Sequence, residues 1–291
     1  MFYFFALLNG ILVSITVAQN GALAGFHGLH FSSVVIHTTG LIVITAVVLI
    51  KRDRPFANRQ AWYLYAGGAI GVFTVVGGNF AFGRISVSAI MAISLLGQSV
   101  TGLVVDQYGW LGMPKNSFNK ARIAGLILTV AGIVVMTDRF DLLAIALSFV
   151  AGISIVFART LNARLAESNG VRISTFFNYV VGLAGATLVF TLLGRGEPIF
   201  TEFVLAPASD FYIYFGGFVG VFTILINNIT VAKISAFYLS LLMFIGQVFT
   251  GVIIDALIDR SFSIPILIGG SLVAAGFCAD MLLSRKKPAR G

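Results

Sequence analysis

Charged residues are scarce in this chain of 291 residues: they make up only 10% of it, whereas hydrophobic residues make up 58%. So few charged groups cannot cover a water-exposed surface, which excludes a soluble globular protein and predicts an integral membrane protein. The one cysteine, Cys278, can form no internal disulfide and makes a thiolate metal site implausible.

The sequence signatures of soluble enzymes are also missing. We find no Walker loop, no His or Cys cluster at metal-ligand spacing, no nucleophile elbow and no dinucleotide-binding glycine pattern. These absences argue against an enzyme and against a cofactor or a metal. They also leave the chain without a visible means of using ATP.

Long apolar runs occupy most of the sequence. Ten runs of about 18 to 24 residues are long enough to cross a bilayer as helices. They lie at roughly 2–25, 29–51, 61–83, 86–109, 119–137, 140–165, 171–194, 210–232, 235–258 and 263–284. Only short breaks separate them, so we predict an all-α membrane protein with ten transmembrane helices and no soluble domain.

The sequence is written twice. YAGGAIGVFTVVGGN at Tyr65 returns as YFGGFVGVFTILINN at Tyr214, and GQSVTGLVVD at Gly97 returns as GQVFTGVIID at Gly246. Both segments keep the same offset, and about a third of the positions between Tyr65 and Asp106 recur unchanged. An internal duplication explains this pattern better than chance does.

The duplication divides the chain into two units of five predicted helices, residues 1–138 and 139–291. Because five is odd, the second unit must begin on the opposite side of the membrane, which makes the units inverted repeats. Inverted repeats are typical of transporters that open a central site to each side in turn. A larger stable bundle without transport is the alternative.

Lysine and arginine are distributed unevenly over the breaks between the runs. If the N-terminus is cytoplasmic, 15 of the 19 basic residues lie on the cytoplasmic side. We therefore expect a multi-pass inner-membrane protein with both termini in the cytoplasm. The net charge of +8 then reflects membrane topology and contact with anionic lipids, not binding to nucleic acid.

Polar residues in the middle of the runs are candidates for substrate binding. Gln98 and Gln247 are repeat equivalents near mid-depth, and a primary amide can bind a polar solute without a buried charge. Thr74 and Thr223 are a second equivalent pair at this depth, and Asn178 lies there without a polar equivalent. Hydrogen bonding between helices is the alternative role for these side chains.

Two ionisable residues stand out within the runs. His37 lies near mid-depth and could couple transport to protons, although a neutral histidine bonded to a backbone carbonyl of the neighbouring helix fits equally well. Arg159 lies a turn or two from the predicted cytoplasmic boundary. It could extend to that boundary, and an anion-binding role is the alternative.

Six further polar residues form equivalent pairs near the ends of the runs, where they could act as gates or as structural caps and ion-pair partners. They are Asn20 with Asn162, Asn79 with Asn228, and Asp106 with Asp255.

Two motifs resemble a known family. NGALA at Asn20 parallels NARLA at Asn162, and the pattern Gly-Gln…Thr-Gly…Asp occurs twice. With ten predicted helices in two inverted halves, the chain resembles the drug/metabolite transporter superfamily, most closely the YdcZ-like family in a form with two copies fused. This resemblance implies a bacterial inner-membrane protein of transporter fold.

The superfamily's small multidrug exporters carry a glutamate in the first helix, but runs one and six here have no acidic residue in their membrane core. We therefore expect a neutral, zwitterionic or anionic solute. The resulting hypothesis is a secondary transporter or facilitator that moves a small polar organic solute by alternating access. A flippase for lipids or lipid-linked sugars and a non-transporting membrane receptor or scaffold are the alternatives.

Overall fold

A computed structural model describes residues 1–108, 122–137, 140–200, 205–231, 233–234, 236–258 and 263–284. Within these ranges the chain forms ten α-helices. They are α1 (Phe2–His27), α2 (Leu29–Ile50), α3 (Gly67–Ala81), α4 (Val87–Tyr108), α5 (Arg122–Met136), α6 (Leu142–Asn169), α7 (Val171–Leu193), α8 (Gly216–Val231), α9 (Ala236–Ile258) and α10 (Ile264–Ser284). Their order follows the ten apolar runs of the sequence.

Seven helical stretches in the described residues are long and apolar enough to cross a membrane, and three shorter apolar stretches lie in α5, α9 and α10. The chain is therefore an all-helical membrane protein, while a full count of ten spans stays a prediction. Large aliphatic side chains such as Ile42, Leu188 and Ile253 are exposed on the outside of the bundle. Such a surface suits contact with lipid tails rather than water.

The third and eighth runs differ from the single continuous helices that we expected. Each begins with a 3₁₀ segment, Trp62–Ala66 before α3 and Ala208–Phe215 before α8. Each segment ends at a pair of glycines, Gly67–Gly68 and Gly216–Gly217. A side chain at these glycines would collide with α6 and α7 or with α1 and α2, so the glycines allow close packing there.

The helices of the first half of the chain pack mainly against helices of the second half. α1 contacts α8 and α9, and its repeat equivalent α6 contacts α3 and α4. α2 packs on its own equivalent α7, and α5 packs on its own equivalent α10. Each of these contacts between the halves is thus matched by an equivalent contact, or is its own equivalent.

Glycine pairs allow the tightest of these crossings. A Cβ on Gly246 would meet the backbone of α1 at Leu7 and Gly10, and a Cβ on Gly97 would meet the backbone of α6 at Phe149 and Gly152. Small residues that admit close backbone approach are typical of helix contacts in membranes, where dispersion forces replace the hydrophobic effect.

α2 and α7 run antiparallel: the start of each helix contacts the segment that follows the end of the other. Near the start of α2, His30 Nδ1 lies 2.8 Å from Oε1 of Glu197, which follows α7. Near the start of α7, Arg172 Nη2 donates to Oδ1 of Asp53, which follows α2, at 2.9 Å. The two contacts therefore lie at opposite ends of the bundle, about 33 Å of helix apart.

Candidate functional site

One cavity of about 280 Å³ lies inside the bundle, lined by residues of α1, α2, α3, α4, α6, α7, α8 and α9. Its polar side chains come from both halves of the chain. Its lining includes eleven of the thirteen residues singled out in the sequence: Asn20, His37, Thr74, Asn79, Gln98, Arg159, Asn162, Asn178, Thr223, Asn228 and Gln247. The structure therefore brings these residues to one place, whereas their roles stay predictions.

Helical periodicity explains why so many of them face inward. On α3 the lining residues Gly71, Thr74, Val75, Gly78 and Asn79 follow the spacing of a single helix face. A Cβ at Gly71 or Gly78 would have open space around it, so these glycines leave volume to the cavity.

The four asparagines predicted near the ends of the runs line the same cavity as the glutamines. Asn162 Nδ2 donates to Asn178 Oδ1 at 2.8 Å, and Asn79 Nδ2 donates to the Ser32 hydroxyl at 3.1 Å. These bonds join α6 to α7 and α3 to α2, so the asparagines also fix the cavity wall.

The two acidic candidates, Asp106 and Asp255, are not in the cavity lining as the structure describes it. The carboxylate of Asp255 on α9 accepts hydrogen bonds from the backbone N–H groups of Val87 and Ser88, at 2.6 and 2.9 Å. It is buried and caps the N-terminus of α4, where a negative charge is favourable. This contact supports the structural interpretation of Asp255. The side chain of Asp106 lies outside the described residues.

Arg159 lines the cavity, where its guanidinium contacts α4. Its Nη2 donates a hydrogen bond to Gln98 Oε1 at 3.2 Å, across the crossing of α6 and α4. Among the described residues, no Asp or Glu forms an ion pair with this guanidinium. The cavity therefore contains a cation whose only described polar partner is a neutral amide.

The equivalent glutamine has a different environment. Gln247 is 4% exposed on α9, and the repeat position of Arg159 is occupied by Val17 on α1. Nearby, Asn9 Nδ2 lies 3.8 Å from Met243 Sδ, a weak contact. The α4–α6 and α9–α1 crossings are thus repeat equivalents, but among the described lining residues only the α4–α6 crossing carries a charged side chain.

Several buried polar atoms of the lining have no hydrogen-bond partner among the described residues. They are Asn9 Oδ1, Asn20 Oδ1, Thr74 Oγ1, Asn227 Oδ1 and Asn228 Nδ2. An unsatisfied buried polar atom costs roughly 1–3 kcal/mol, so native proteins usually pair such atoms with a ligand or with water. Because all five residues line the cavity, rotation of their side chains can turn these atoms toward a polar solute.

His37 is buried in the cavity wall beside Tyr179, its equivalent in the other half, with ring centroids 6.1 Å apart. Its Nδ1 lies 2.7 Å from the carbonyl oxygen of Ser33, one turn earlier in the same helix rather than in a neighbouring one. Because a carbonyl only accepts, Nδ1 carries a proton and Nε2 is left to act as acceptor or second donor. Proton coupling by His37 stays a prediction.

Some cavity residues were not singled out in the sequence. Asn9, Ser94, Ser148 and Asn227 all contribute polar groups to the lining. Asn9 shares a helix face with Asn20, and Ser94 shares one with Gln98, so extending the periodicity from the chosen residues would have found both.

Comparisons with known proteins agree with this architecture. Residues 1–135 and 143–279 each match the model of the family described as "Putative inner membrane exporter, YdcZ". No curated protein matches the chain. A solved structure titled "Crystal structure of protein" is similar over 100% of this chain and 98% of its own, with a TM-score of 0.66 and 16% identity. At that identity the similarity shows the fold alone.

Proposed function

The chain belongs to the YdcZ family, described as "Putative inner membrane exporter, YdcZ", and we propose that it is a secondary transporter or facilitator that binds a small polar organic solute in the central cavity. The observation that carries this proposal is the cavity itself, which gathers unpaired amide and hydroxyl groups within an apolar bundle. A bundle that served only as a scaffold would bury fewer polar groups or pair them with one another.

Gln98 and Gln247 are the central binding residues of this proposal, with Asn178, Thr74 and Thr223 around them. Their amides and hydroxyls can donate and accept, so they can replace the water that a solute loses when it enters the bundle.

The contacts between the halves support inverted repeats and alternating access. α2 and α7 are repeat equivalents that run antiparallel, as are α5 and α10, where Gly132 faces Gly269 and Gly125 faces Gly276. Equivalent helices that run in opposite directions imply a symmetry axis in the membrane plane. We propose units 1–138 and 139–291 related in this way, with both termini in the cytoplasm.

Transport is tested with the purified chain in sealed proteoliposomes. A metabolite library is first screened for compounds that raise the melting temperature, since only ligands that prefer the folded state do so. Compounds that stabilise the protein are then assayed for flux. We expect the double variant Gln98→Leu and Gln247→Leu to lose at least tenfold in apparent affinity, or about 1.4 kcal/mol.

Gln60→Leu is the matched control, because this glutamine lies in the loop between α2 and α3, outside the cavity lining. The control is expected to bind and transport like the wild type. A double variant that binds and transports normally would remove the cavity from the mechanism, and a compound that binds without crossing the vesicle would favour a receptor.

A further inference from the structure

Arg159 is the only permanently charged side chain among the described residues that line the cavity. A guanidinium stays protonated even when buried, and a charge inside a membrane bundle is costly unless an opposite charge compensates it. No described Asp or Glu lines the cavity or pairs with Arg159. The described protein groups therefore leave this charge uncompensated.

The hydrogen bond to Gln98 orients the charge without neutralising it. Nη2 donates to Oε1 at 3.2 Å, which uses one of the five N–H groups of the guanidinium and ties it to α4. The N–H groups that remain lie in one plane, and this geometry matches the two oxygens of a carboxylate.

The two sides of the cavity also differ in charge. The α4–α6 side carries Arg159, whereas the equivalent position on the α1–α9 side is Val17. The α1–α9 side carries neutral amides, including Asn9, whose Oδ1 has no described partner, and Gln247. A solute bound here meets a positive group on one side and neutral hydrogen-bonding groups on the other.

From this arrangement we propose that the solute is a small organic monoanion, whose carboxylate binds Arg159 while its neutral part reaches the amides of α1 and α9. A cavity of about 150 Å³ holds a benzene molecule, so this cavity of about 280 Å³ fits on the order of ten non-hydrogen atoms. The inference rests on the proposed transport function and adds to it the charge of the solute.

The test uses the purified full chain and a panel of small carboxylates. Each is compared with the amide and the amine of the same skeleton, for example benzoate with benzamide and benzylamine. We expect carboxylates to raise the melting temperature and their amides and amines to leave it unchanged. Arg159→Gln should weaken carboxylate binding at least tenfold, and Arg159→Lys, which keeps the charge but loses the planar fork, should fall in between.

Arg164→Gln is the matched control. It removes a positive charge from the same helix at a position outside the cavity lining, so carboxylate binding should be unchanged. Size-exclusion profiles of all three variants check that each one folds. The Lys variant keeps the experiment decisive even if the neutral substitution destabilises the bundle.

Three results would overturn the inference: no carboxylate in the panel stabilises the wild type, amides or amines stabilise it as well as carboxylates do, or Arg159→Gln retains the carboxylate effect. Failure of transport gives a different pattern. Carboxylates would then bind through Arg159 without crossing the vesicle, whereas flux of neutral solutes that survives Arg159→Gln would keep transport and reject the anion site.

Discussion

The two ends of the α2–α7 pair are each joined by one side-chain contact, and the two contacts differ in chemistry. At one end His30 pairs with Glu197, and at the other its repeat equivalent Arg172 pairs with Asp53. The His30 and Glu197 side chains are only 18% and 12% exposed, whereas those of Arg172 and Asp53 are 46% and 20% exposed. One end is therefore closed by a largely buried contact and the other by a surface ion pair.

The buried contact is also tied to the backbone. The carboxylate of Glu197 accepts from the backbone N–H groups of His30 and Phe31, at 2.7 and 2.8 Å, and so caps the N-terminus of α2. Caps contribute roughly 0.5–2 kcal/mol, whereas exposed ion pairs contribute about 0–1 kcal/mol. The comparison teaches that the duplicated halves have diverged in how firmly each end of the bundle is held.

Locking either end should have the largest effect. In a Cys278→Ser background, the pairs His30→Cys with Glu197→Cys and Asp53→Cys with Arg172→Cys are joined by a short cleavable thiol cross-linker. Because alternating access requires both ends to open in turn, each cross-link is expected to reduce flux in proteoliposomes to background. Cleaving the linker should restore it. Persistent flux with either end locked would contradict alternating access.

The glycines that precede α2 and α7 allow the stability of the two ends to be compared. Gly28 precedes α2 with φ 101°, and Gly170 precedes α7 with φ 85°. Both glycines have ψ near 155°, a region that is essentially restricted to glycine, so Gly28→Ala and Gly170→Ala should each cost roughly 1–3 kcal/mol of backbone strain. Only at Gly28 would the new Cβ collide with Glu197, while the position at Gly170 is open.

Displacing the Glu197 cap should add about 0.5–2 kcal/mol to the cost of Gly28→Ala, which thermal unfolding in detergent can measure. In a Glu197→Ala background, where the collision is removed, the cost of Gly28→Ala should fall to that of Gly170→Ala. Equal losses from the two single substitutions would show that Glu197 is free to move aside.

The smallest effect is expected from acid at the exposed end. The hydrogen bond from Arg172 holds the pKa of the Asp53 carboxyl below its usual value of 3.8, with Lys51 acting in the same direction. A lowered pKa means that Asp53 stabilises the folded protein above pH 3.8, and that this contribution is lost as the pH falls through the lowered pKa.

Melting temperatures of the wild type and Asp53→Asn are compared from about pH 6 to about pH 3. The wild type should be slightly more stable at the higher pH, and the difference should shrink in acid. The difference should be small because the pair is exposed to solvent. A difference that grows as the pH falls would reverse the sign of the argument.

Much of the architecture was predictable because it depends on local patterns. Apolar runs set the helices, since backbone groups in lipid must be hydrogen-bonded within the segment itself. The positions of Gln98 and Gln247 near the middle of their runs indicated depth, and the cavity lining includes both. Repeat equivalence extended this interpretation to Thr74 and Thr223.

Contacts between distant parts of the chain were not predictable in the same way. The sequence allowed Arg159 to extend to the membrane boundary, and only the crossing of α4 and α6 shows that it faces Gln98. Likewise, Asp255 caps a helix that begins 168 residues earlier in the chain. Its position at the end of its own run carried no sign of that partner.

The sequence alone determined the membrane environment, the helices and the duplicated organisation, because each follows from composition and from periodicities within short segments. The tertiary structure decided which polar groups share a cavity and which helix ends are tied together. The physical reason is that helix faces are set by local geometry, whereas the partner of each face depends on how glycine-lined surfaces from distant segments pack against one another.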